Sequence, residues 1–366
     1  MFTKKSLVIV TGSSGFIGDA TMERLAREGF EVVGFDREAS SSPPPGCTAI
    51  PVDVTSDESV HDGFSIVREH HGAKIGSVIH LAAYYDFSGE PSEKYDEITV
   101  RGTERLLREL KTFDVEQFIF SSTMLVHQPV EPGEFINENS PVKESWAYPN
   151  SKIATEKLIR AEHGDIPFVL LRIAGVYNDR CHSIPLAHQI QRIYERWLTS
   201  HVFPGDIAHG QSFLHLDDLV DTFAKLVERR NNLPAELPLL IGEPEPLTYS
   251  ELQHTFGRLI HGEDWETTQI PKSVAKTGAW LQDNAPFVEE PFIKPWMIDY
   301  ADDHFALDIS RADQLLGWSP QRSLRSTIPK MIAALKADPA GWYRENKLEL
   351  PSELAEAAED DRERAK

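Results

Sequence analysis

Cysteine, positive charge and long apolar runs are all scarce in this sequence of 366 residues. Its two cysteines, Cys47 and Cys181, stand far apart with no C-x-x-C spacing, which argues against a disulfide framework and a cysteine-based zinc site. Histidines and acidic residues show no metal-ligand spacing either, so no metal is predicted. Free thiols suit a reducing compartment, and we expect a cytoplasmic protein.

Negative charge outweighs positive charge. Lys plus Arg number 37 against 58 Asp plus Glu, a formal net charge of -21. Such a surface repels phosphate, so neither nucleic acid nor anionic lipid is an expected partner. The apolar run Leu7 to Val10 is too short for a signal or membrane segment. We therefore expect no integral membrane segment and a small molecule as partner.

Short β-branched segments alternate with amphipathic helical segments through the first half of the chain. Strands are predicted at SLVIV, EVVGF, TAIPV, SVIHL, QFIFSS and PFVLLRI, and helices over 16–28, 92–112 and 150–163. This alternation is typical of a parallel sheet with helices on both faces. The predicted fold class is α/β: a Rossmann-type doubly wound parallel sheet with a smaller, mostly helical C-terminal substrate lobe.

The alternation loosens after Arg172, which divides the chain. We predict a first domain over residues 1–178 and 212–243, with LPLLIG rejoining the sheet as a late strand. Residues 179–211 and 244–350 would form the substrate-binding lobe. The segment 351–366 is almost all charged or small, and we expect a disordered tail.

The first predicted strand leads into TGSSGFIG, residues 11–18, which opens the first predicted helix. In this context Gly12 permits a tight turn, Gly15 lets backbone N–H groups approach a pyrophosphate, and Gly18 permits close packing of helix on strand. The predicted dinucleotide-binding residues of this loop are Gly12, Ser14, Gly15, Phe16, Ile17 and Gly18.

Asp36 ends the second predicted strand, 18 residues beyond Gly18. A carboxylate there can accept hydrogen bonds from both hydroxyls of the adenosine ribose and repels the extra phosphate of NADP, which favours NAD. Arg37 could hold that same phosphate, so NADP stays possible. The domain over residues 1–178 and 212–243 is therefore the predicted NAD(P)-binding domain.

Further cofactor contacts are predicted where the third and fourth strands end. Asp53 and Val54 follow the third strand, and Asp53 is as well suited to cap a helix as to touch adenine. Leu81, Ala82 and Ala83 follow His80, a predicted core histidine, and their mostly small side chains let the backbone pass close to a cofactor. Tyr84, Tyr85 and Phe87 come next, and these rings could either form a wall for the substrate or pack within their own loop.

YPNSK places Tyr148 four positions before Lys152. On a helix the two side chains share one face, and a nearby ammonium lowers the pKa of a phenol from its usual value of about 10. The tyrosine can then act as a general acid or base while the lysine binds the nicotinamide ribose. An isolated Y-x-x-x-K arises often by chance. Here a predicted strand ends in hydroxyls at Thr123, 25 residues earlier, and could hold the substrate oxygen.

Over roughly residues 6–330 the chain resembles the extended short-chain dehydrogenases/reductases, the NAD-dependent epimerase/dehydratase group. The motifs that carry the resemblance are TGSSGFIG, Asp36, HLAA, VRGT, FSST, YPNSK, LRIAGVY, FLHLDDLV and LGWSP. The resemblance implies Thr123 as the catalytic hydroxyl, Tyr148 as the general acid/base, and Lys152 as its activator and ribose anchor. It also implies a homodimer.

Four departures from the family pattern bear on the substrate. Met124 and Leu125 stand where dehydratases carry an acidic pair, and Thr99 replaces an asparagine that orders active-site water. Gln211 replaces an arginine that binds the diphosphate of sugar nucleotides. A second such arginine is missing from WMIDYADDHF.

These departures predict an NAD(P)-dependent oxidoreductase acting on a secondary alcohol or ketone of an uncharged, apolar substrate of lipid or sterol type. The predicted substrate residues are Tyr84, Thr123, Met124 and Gln211. The alternative is a sugar-nucleotide 4-epimerase, with positive charge supplied by Arg180, Arg192 or Lys294. A non-catalytic dinucleotide sensor is disfavoured, because a sensor does not need the complete Thr/Tyr/Lys set.

Overall fold

The computed structural model describes residues 6–86, 92–283, 294–352 and 354. Its α-helices are α1 (Phe16–Arg27), α2 (Asp57–His71), α3 (Arg101–Leu110), α4 (Ala147–Glu162), α5 (Ile184–Tyr194), α6 (Leu216–Arg229), α7 (Tyr249–His261), α8 (Lys272–Asp283), α9 (Ser310–Leu316), α10 (Leu324–Ala337) and α11 (Pro339–Glu345). Its strands are β1 (Leu7–Thr11), β2 (Glu31–Asp36), β3 (Cys47–Pro51), β4 (Lys74–Ile75), β5 (Ser77–His80), β6 (Asp114–Val115), β7 (Phe118–Thr123), β8 (Phe168–Ile173), β9 (Gly175–Tyr177), β10 (Val202–Pro204), β11 (Gly210–Gln211), β12 (Phe213–His215), β13 (Glu236–Ile241), β14 (Leu247–Thr248) and β15 (Thr268–Ile270). A π-helix, Tyr95–Val100, leads into α3.

The central sheet contains seven parallel strands in the order β13-β8-β7-β5-β1-β2-β3. The chain runs outwards from β1 through β2 to β3 and then returns to β5 on the other side of β1. The order therefore reverses at β1, and ligands of such sheets bind in the crevice at this switch point. The predicted doubly wound sheet is confirmed, including the return of LPLLIG as β13 beside β8.

Alternating side chains of β1 enter two separate cores, as the period of a strand requires. Val8 and Val10 belong to the apolar cluster on the face covered by α1 and α6. Leu7 and Ile9 belong to the cluster on the opposite face, beneath α2 and α3. Burial on both faces explains why these strands read as continuous β-branched runs.

A third apolar cluster forms the core of the C-terminal lobe, where α5, α7, α10 and α11 meet. The predicted division of the chain stays a prediction, and the packing of one segment bears on its boundary. Phe305, Leu307, Ala312 and Trp318 pack with the cluster on the α1 face of the sheet, because α9 lies against β13. The predicted boundary assigned them to the lobe, and packing places them with the sheet.

None of the helices in the described part of the chain has the length and apolarity needed to cross a bilayer. Among the same residues, no cluster of three or more His, Cys, Asp or Glu side chains could hold a metal ion. At the C-terminal end Leu354 still packs against the core of the lobe. The rest of the predicted tail, residues 355–366, lies outside the described residues.

Candidate active site

In the loop between β1 and α1, the backbone approaches two glycines so closely that a side chain would not fit. Gly12 has a φ of +68°, and a Cβ added there would lie 2.9 Å from the backbone nitrogen of Ala82. A Cβ on Gly18 would overlap the carbonyl oxygen of Gly12. A larger residue at either position would push the loop away from the end of β5, where the N–H groups of Leu81 and Ala82 each lie 3.2 Å from Thr11 Oγ1.

The start of α1 offers unoccupied backbone donors. The helix begins at Phe16, and its N-cap Gly15 provides no side-chain acceptor. The N–H groups of the first turn and the positive end of the helix dipole therefore face the glycine loop. This arrangement fits a pyrophosphate, because an anion at a helix N-terminus meets both.

Asp36 lies at the end of β2 beside this loop. Its carboxylate accepts hydrogen bonds from the N–H groups of Ser14, at 3.0 Å, and Glu38, at 3.3 Å. Each carboxylate oxygen retains a lone pair, so both can also accept ribose hydroxyls. The Arg37 side chain is 71% exposed and lies 3.6 Å from Glu38.

The Asp53 carboxylate serves the turn before α2. It accepts the N–H of Thr55 at 2.9 Å and its hydroxyl at 2.7 Å. The structural alternative in the prediction for Asp53 thus has support, although the N-cap of α2 is Ser56. Val54 is buried against Gly102, on the helix that follows the π-helix.

The end of β7 and the first turn of α4 bring the three predicted catalytic residues together. Helix α4 begins at Ala147, so Tyr148 lies in its first turn, and the Tyr148 side chain hydrogen-bonds with that of Thr123. Lys152 Nζ donates to the carbonyl oxygen of Ser121 at 2.7 Å and lies 5.7 Å from the centroid of the Tyr148 ring.

Burial dominates the electrostatics of this trio. It raises the pKa of Tyr148 above the usual value of a phenol, while the bond with Thr123 acts in the opposite direction. Burial also lowers the pKa of Lys152 to about 7, against an opposing effect of Glu156. The expected lowering of the Tyr148 pKa by the ammonium is therefore not seen. Tyr148 stays protonated near neutral pH, which suits a proton donor.

A buried ion pair holds α4 against the sheet. Glu156 accepts from Arg172 Nε at 3.0 Å, from Arg172 Nη2 at 2.7 Å and from Ser122 Oγ at 2.6 Å. The Glu156 and Arg172 side chains are each 4% exposed. Sequence reasoning missed this pair. The available signal was the four-residue spacing that places positions 148, 152 and 156 along one side of a helix.

A chain of buried hydrogen bonds supports the loop after β5. His80 Nδ1 lies 2.6 Å from Thr11 Oγ1 and His80 Nε2 lies 2.9 Å from Thr103 Oγ1. Burial lowers the pKa of His80 to about 3, so the ring is neutral, in agreement with its predicted packing role. Thr99 accepts the N–H of Tyr84 at 3.0 Å. The residue that replaces the family asparagine thus anchors the backbone next to the site.

Aromatic rings surround Tyr148. The ring of Tyr85 meets it edge-on with centroids 4.7 Å apart, and Trp146 lies at 5.6 Å. Tyr84, another predicted wall residue, instead packs on Tyr95 at 4.8 Å and donates its hydroxyl to Asp86 at 3.1 Å. Of the three predicted wall residues, Tyr85 therefore lies beside Tyr148, and Phe87 lies outside the described residues.

Two pockets share part of their lining, and only the nearer one includes a ring of this group, Trp146. Thr123, Tyr148 and Lys152 are not among the described residues that line either pocket. The nearer is lined by residues that include Leu125, Trp146 and Trp296, and the larger, of about 560 Å³, lies between α5, α7 and β10. Gln211, a predicted substrate residue, lines both pockets. Met124 is 2% exposed and packs in the core, so Leu125 takes the place predicted for Met124. The residues that line both pockets are Pro185, Gln211, Met297, Ala301 and Asp303.

Three cations could replace the missing arginines in binding a diphosphate, and they lie in different environments. Arg180 forms an ion pair with Glu345 of α11. Lys294 precedes a short 3₁₀-helix, Pro295–Tyr300, and does not appear among the described residues that line either pocket. Arg192 lines the larger pocket.

Residues 8–242 match the profile of the NAD-dependent epimerase/dehydratase family. The chain belongs to this family, which confirms the resemblance drawn from its motifs. It is therefore an NAD-dependent enzyme with a Rossmann fold.

Its relatives act on different kinds of molecule. A 3-beta-hydroxysteroid dehydrogenase of Mycolicibacterium neoaurum is 24% identical over 353 residues, which cover 86% of this chain and 87% of that protein. An uncharacterised UDP-glucose epimerase of Bacillus subtilis is 23% identical over 90% of this chain and 98% of its own. The crystal structure of the UDP-glucose 4-epimerase of Thermus thermophilus with NAD has a TM-score of 0.67 at 22% identity, covering 90% of this chain and 99% of that one. The family thus contains both predicted activities.

Proposed function

We propose that this enzyme interconverts a secondary alcohol and a ketone on a substrate with a largely apolar body. The observation that carries the proposal is the wall of the pocket beside Trp146, where apolar side chains prevail, Gln211 stands in place of an arginine, and the described lining holds a single lysine, Lys143, together with the acidic Asp303. A diphosphate in a partly buried cleft needs compensating positive charge, whereas a hydroxyl or carbonyl group on an apolar body does not.

Tyr148 moves the proton in this reaction. Its phenol donates the proton to the substrate oxygen during reduction and takes the hydroxyl proton during oxidation. Thr123, already hydrogen-bonded to Tyr148, holds the same oxygen. A Lys152 ammonium stabilises the phenolate that remains after donation. When bound, the nicotinamide of NAD supplies or accepts the hydride.

The residues proposed to hold the cofactor surround the carboxyl ends of β1, β2, β3 and β5. They are Gly12, Ser14, Gly15, Phe16, Ile17, Gly18, Asp36, Arg37, Asp53, Val54, Leu81, Ala82, Ala83, Tyr148 and Lys152. We attribute the preference for NAD to Asp36, while the exposed Arg37 keeps NADP as an alternative. A homodimer and a cytoplasmic location remain proposals, the latter supported by two free cysteines.

A second candidate function is that of a sugar-nucleotide 4-epimerase. It is favoured by Arg192, a guanidinium in the larger pocket that could meet a phosphate. Such an enzyme would use Tyr148 twice, first as base and then as acid, on the same carbon.

Ligand-induced thermal stabilisation tests the choice between the two. A ligand raises stability by RT ln(1 + [L]/Kd), so a compound far below its Kd has no effect. We expect NAD to raise the melting temperature, long-chain secondary alcohols and ketones to raise it further, and UDP or UDP-glucose to leave it unchanged. Stabilisation by UDP at sub-millimolar concentration would put the epimerase first.

A further inference from the structure

The larger pocket contains an arginine on an otherwise mostly apolar helix face. Pro185, Gln189 and Arg192 lie at the spacing that places them on one side of α5, and all three line the pocket. Most of the surrounding wall is apolar, with Leu186, Val202, Phe203, Phe213, Leu247, Leu252, Ile270 and Ile298. A charged group in this position needs a partner, because burying it without one is costly.

Only part of the hydrogen-bonding capacity of Arg192 is satisfied in the structure. Its Nε atom is buried and has no hydrogen-bond partner, and its side chain hydrogen-bonds with the hydroxyl of Tyr249. No carboxylate of the described residues forms an ion pair with it. By contrast, Arg180, Arg196 and Arg258 each pair with an acidic side chain. A buried donor without an acceptor indicates a place for a ligand atom.

The other polar residues of the pocket leave Arg192 as its fixed positive charge. Burial lowers the pKa of His188 to about 4, so that ring is neutral. The second histidine, His209, lies with Nδ1 2.5 Å from the carbonyl oxygen of Asp302. Asp303, in the neck shared with the nearer pocket, is a carboxylate whose pKa burial raises to about 6. One guanidinium facing an acidic neck matches a single negative charge better than a diphosphate.

We infer that the substrate carries one carboxylate at the end remote from the reacting carbon, and that Arg192 binds it. The inference rests on the proposed function and refines it: the substrate is an amphipathic hydroxy or oxo acid, and not the wholly uncharged molecule predicted from the sequence. The Nε–H and Nη–H groups of a guanidinium match the two oxygens of a carboxylate side by side. The apolar wall then holds the chain or ring system between the two polar ends.

Calorimetric titration of the NAD-saturated enzyme at pH 7 with decanoate, decanamide and 2-decanone tests this. The first two compounds share the same chain and differ in the head group, a charged carboxylate in one and a neutral amide of similar shape in the other. We expect wild type to bind decanoate about tenfold or more tightly than decanamide, the usual gain for a hydrogen bond to a charged group. In Arg192→Met the ratio should fall to about one, with the affinity for decanamide unchanged.

Two further variants control for charge and folding. Arg258→Met removes one exposed positive charge outside the pocket and should retain the wild-type ratio. Arg192→Lys keeps the positive charge but loses the paired N–H donors of the guanidinium, so it should retain part of the preference for decanoate. A rise in melting temperature with NAD shows that each variant is folded. If Arg192→Met does not fold, the ratio of decanoate to decanamide affinity in Arg192→Lys tests the inference instead.

The outcomes separate the inference from the function on which it rests. Equal binding of decanoate and decanamide to wild type, with 2-decanone also bound, would overturn the carboxylate and leave the oxidoreductase. Binding of UDP that disappears in Arg192→Met would overturn both, since Arg192 would then serve a phosphate. Failure of all three decyl compounds to bind would likewise reject the apolar substrate itself.

Discussion

The cofactor end and the substrate pocket of this enzyme differ in how many chain segments build them. The glycine loop comes from consecutive residues between β1 and α1, with Asp36 added from the next strand. The larger pocket draws its walls from α5, β10, β11, α7, β15, α8 and the 3₁₀-helix Pro295–Tyr300. Local backbone requirements therefore determine the first site, whereas the packing of distant segments determines the second.

Two cations show what this difference means. Lys152 is 2% exposed, donates to the Ser121 carbonyl and lies 4.7 Å from the centroid of the Phe120 ring, so its surroundings come from its own chain. Arg192 keeps a buried Nε without an acceptor. The surroundings of Lys152 are therefore supplied by the protein alone, whereas those of Arg192 leave one donor for a ligand, as our proposal requires.

The largest expected effect tests whether the two regions work separately. Tyr148→Phe removes only the proton-carrying oxygen, so turnover should fall by about 10²–10⁴-fold, the usual contribution of a general acid or base. NAD binding should stay nearly intact, because the ring remains. Initial rates with a reactive alcohol, and NAD titration by calorimetry, measure the two quantities.

Tyr85→Phe is the matched control, since it removes a hydroxyl from the ring that meets Tyr148 edge-on. Turnover of Tyr148→Phe above a tenth of the wild-type value would exclude the proposed role. A large loss of NAD affinity in the same variant would show that the regions are not separable.

A smaller effect should appear in the pH dependence of stability. Lys152 has a pKa of about 7 in the fold against 10.5 as the reference, so between these values the unfolded chain binds more protons and stability rises with pH. From pH 7 to 9.5 wild type should gain about 3 kcal/mol in free energy of unfolding relative to Lys152→Met, which lacks this titration. Denaturant unfolding at both pH values measures the difference.

Glu156 does not titrate in this range, because burial raises its pKa less than Arg172 and its other partners together lower it, and the pKa stays below its usual value. Other ionisable groups titrate in both proteins, and their contributions largely cancel in that difference. If the difference in free energy of unfolding between wild type and Lys152→Met did not change with pH, Lys152 would remain charged in the folded protein across this range. Its ammonium would then be better compensated than its surroundings indicate.

The smallest effect concerns the cofactor end alone. Asp36→Ala should weaken NAD binding by about 1.5–3 kcal/mol, the value of hydrogen bonds to a charged group, and shift preference towards NADP. Asp53→Ala, whose carboxylate serves Thr55, should have less effect on the choice of cofactor. Titration of each variant with NAD and with NADP measures these effects. If wild type preferred NADP, Arg37 and not Asp36 would determine the choice of cofactor.

Much of the fold follows from the sequence, since each predicted strand of the first half is present, together with the late strand β13. The prediction started the helix that contains Lys152 at residue 150, but α4 begins at Ala147, which puts Tyr148 within it. The π-helix before α3 was not predicted, because its apolar spacing is close to that of an α-helix.

The candidate site was less predictable from the sequence where tertiary contacts determine which side chain reaches it. Tyr84 and Tyr85 are neighbours of the same type, and only the bond from the Tyr84 N–H to Thr99 and the packing on Tyr95 show which ring meets Tyr148. Likewise, the sequence cannot distinguish Met124 from Leu125, yet one enters the core and the other lines a pocket.

By itself, the sequence determined the doubly wound sheet, the glycine loop and the tyrosine–lysine spacing, because each depends on residues that are close along the chain. Tertiary structure alone decided that Arg180 pairs with Glu345 while Arg192 enters a pocket with a free Nε, and that residues 305–318 join the sheet and not the lobe. The physical reason is that the partner of a charge or an apolar side chain is chosen by packing across many residues, which local spacing does not encode.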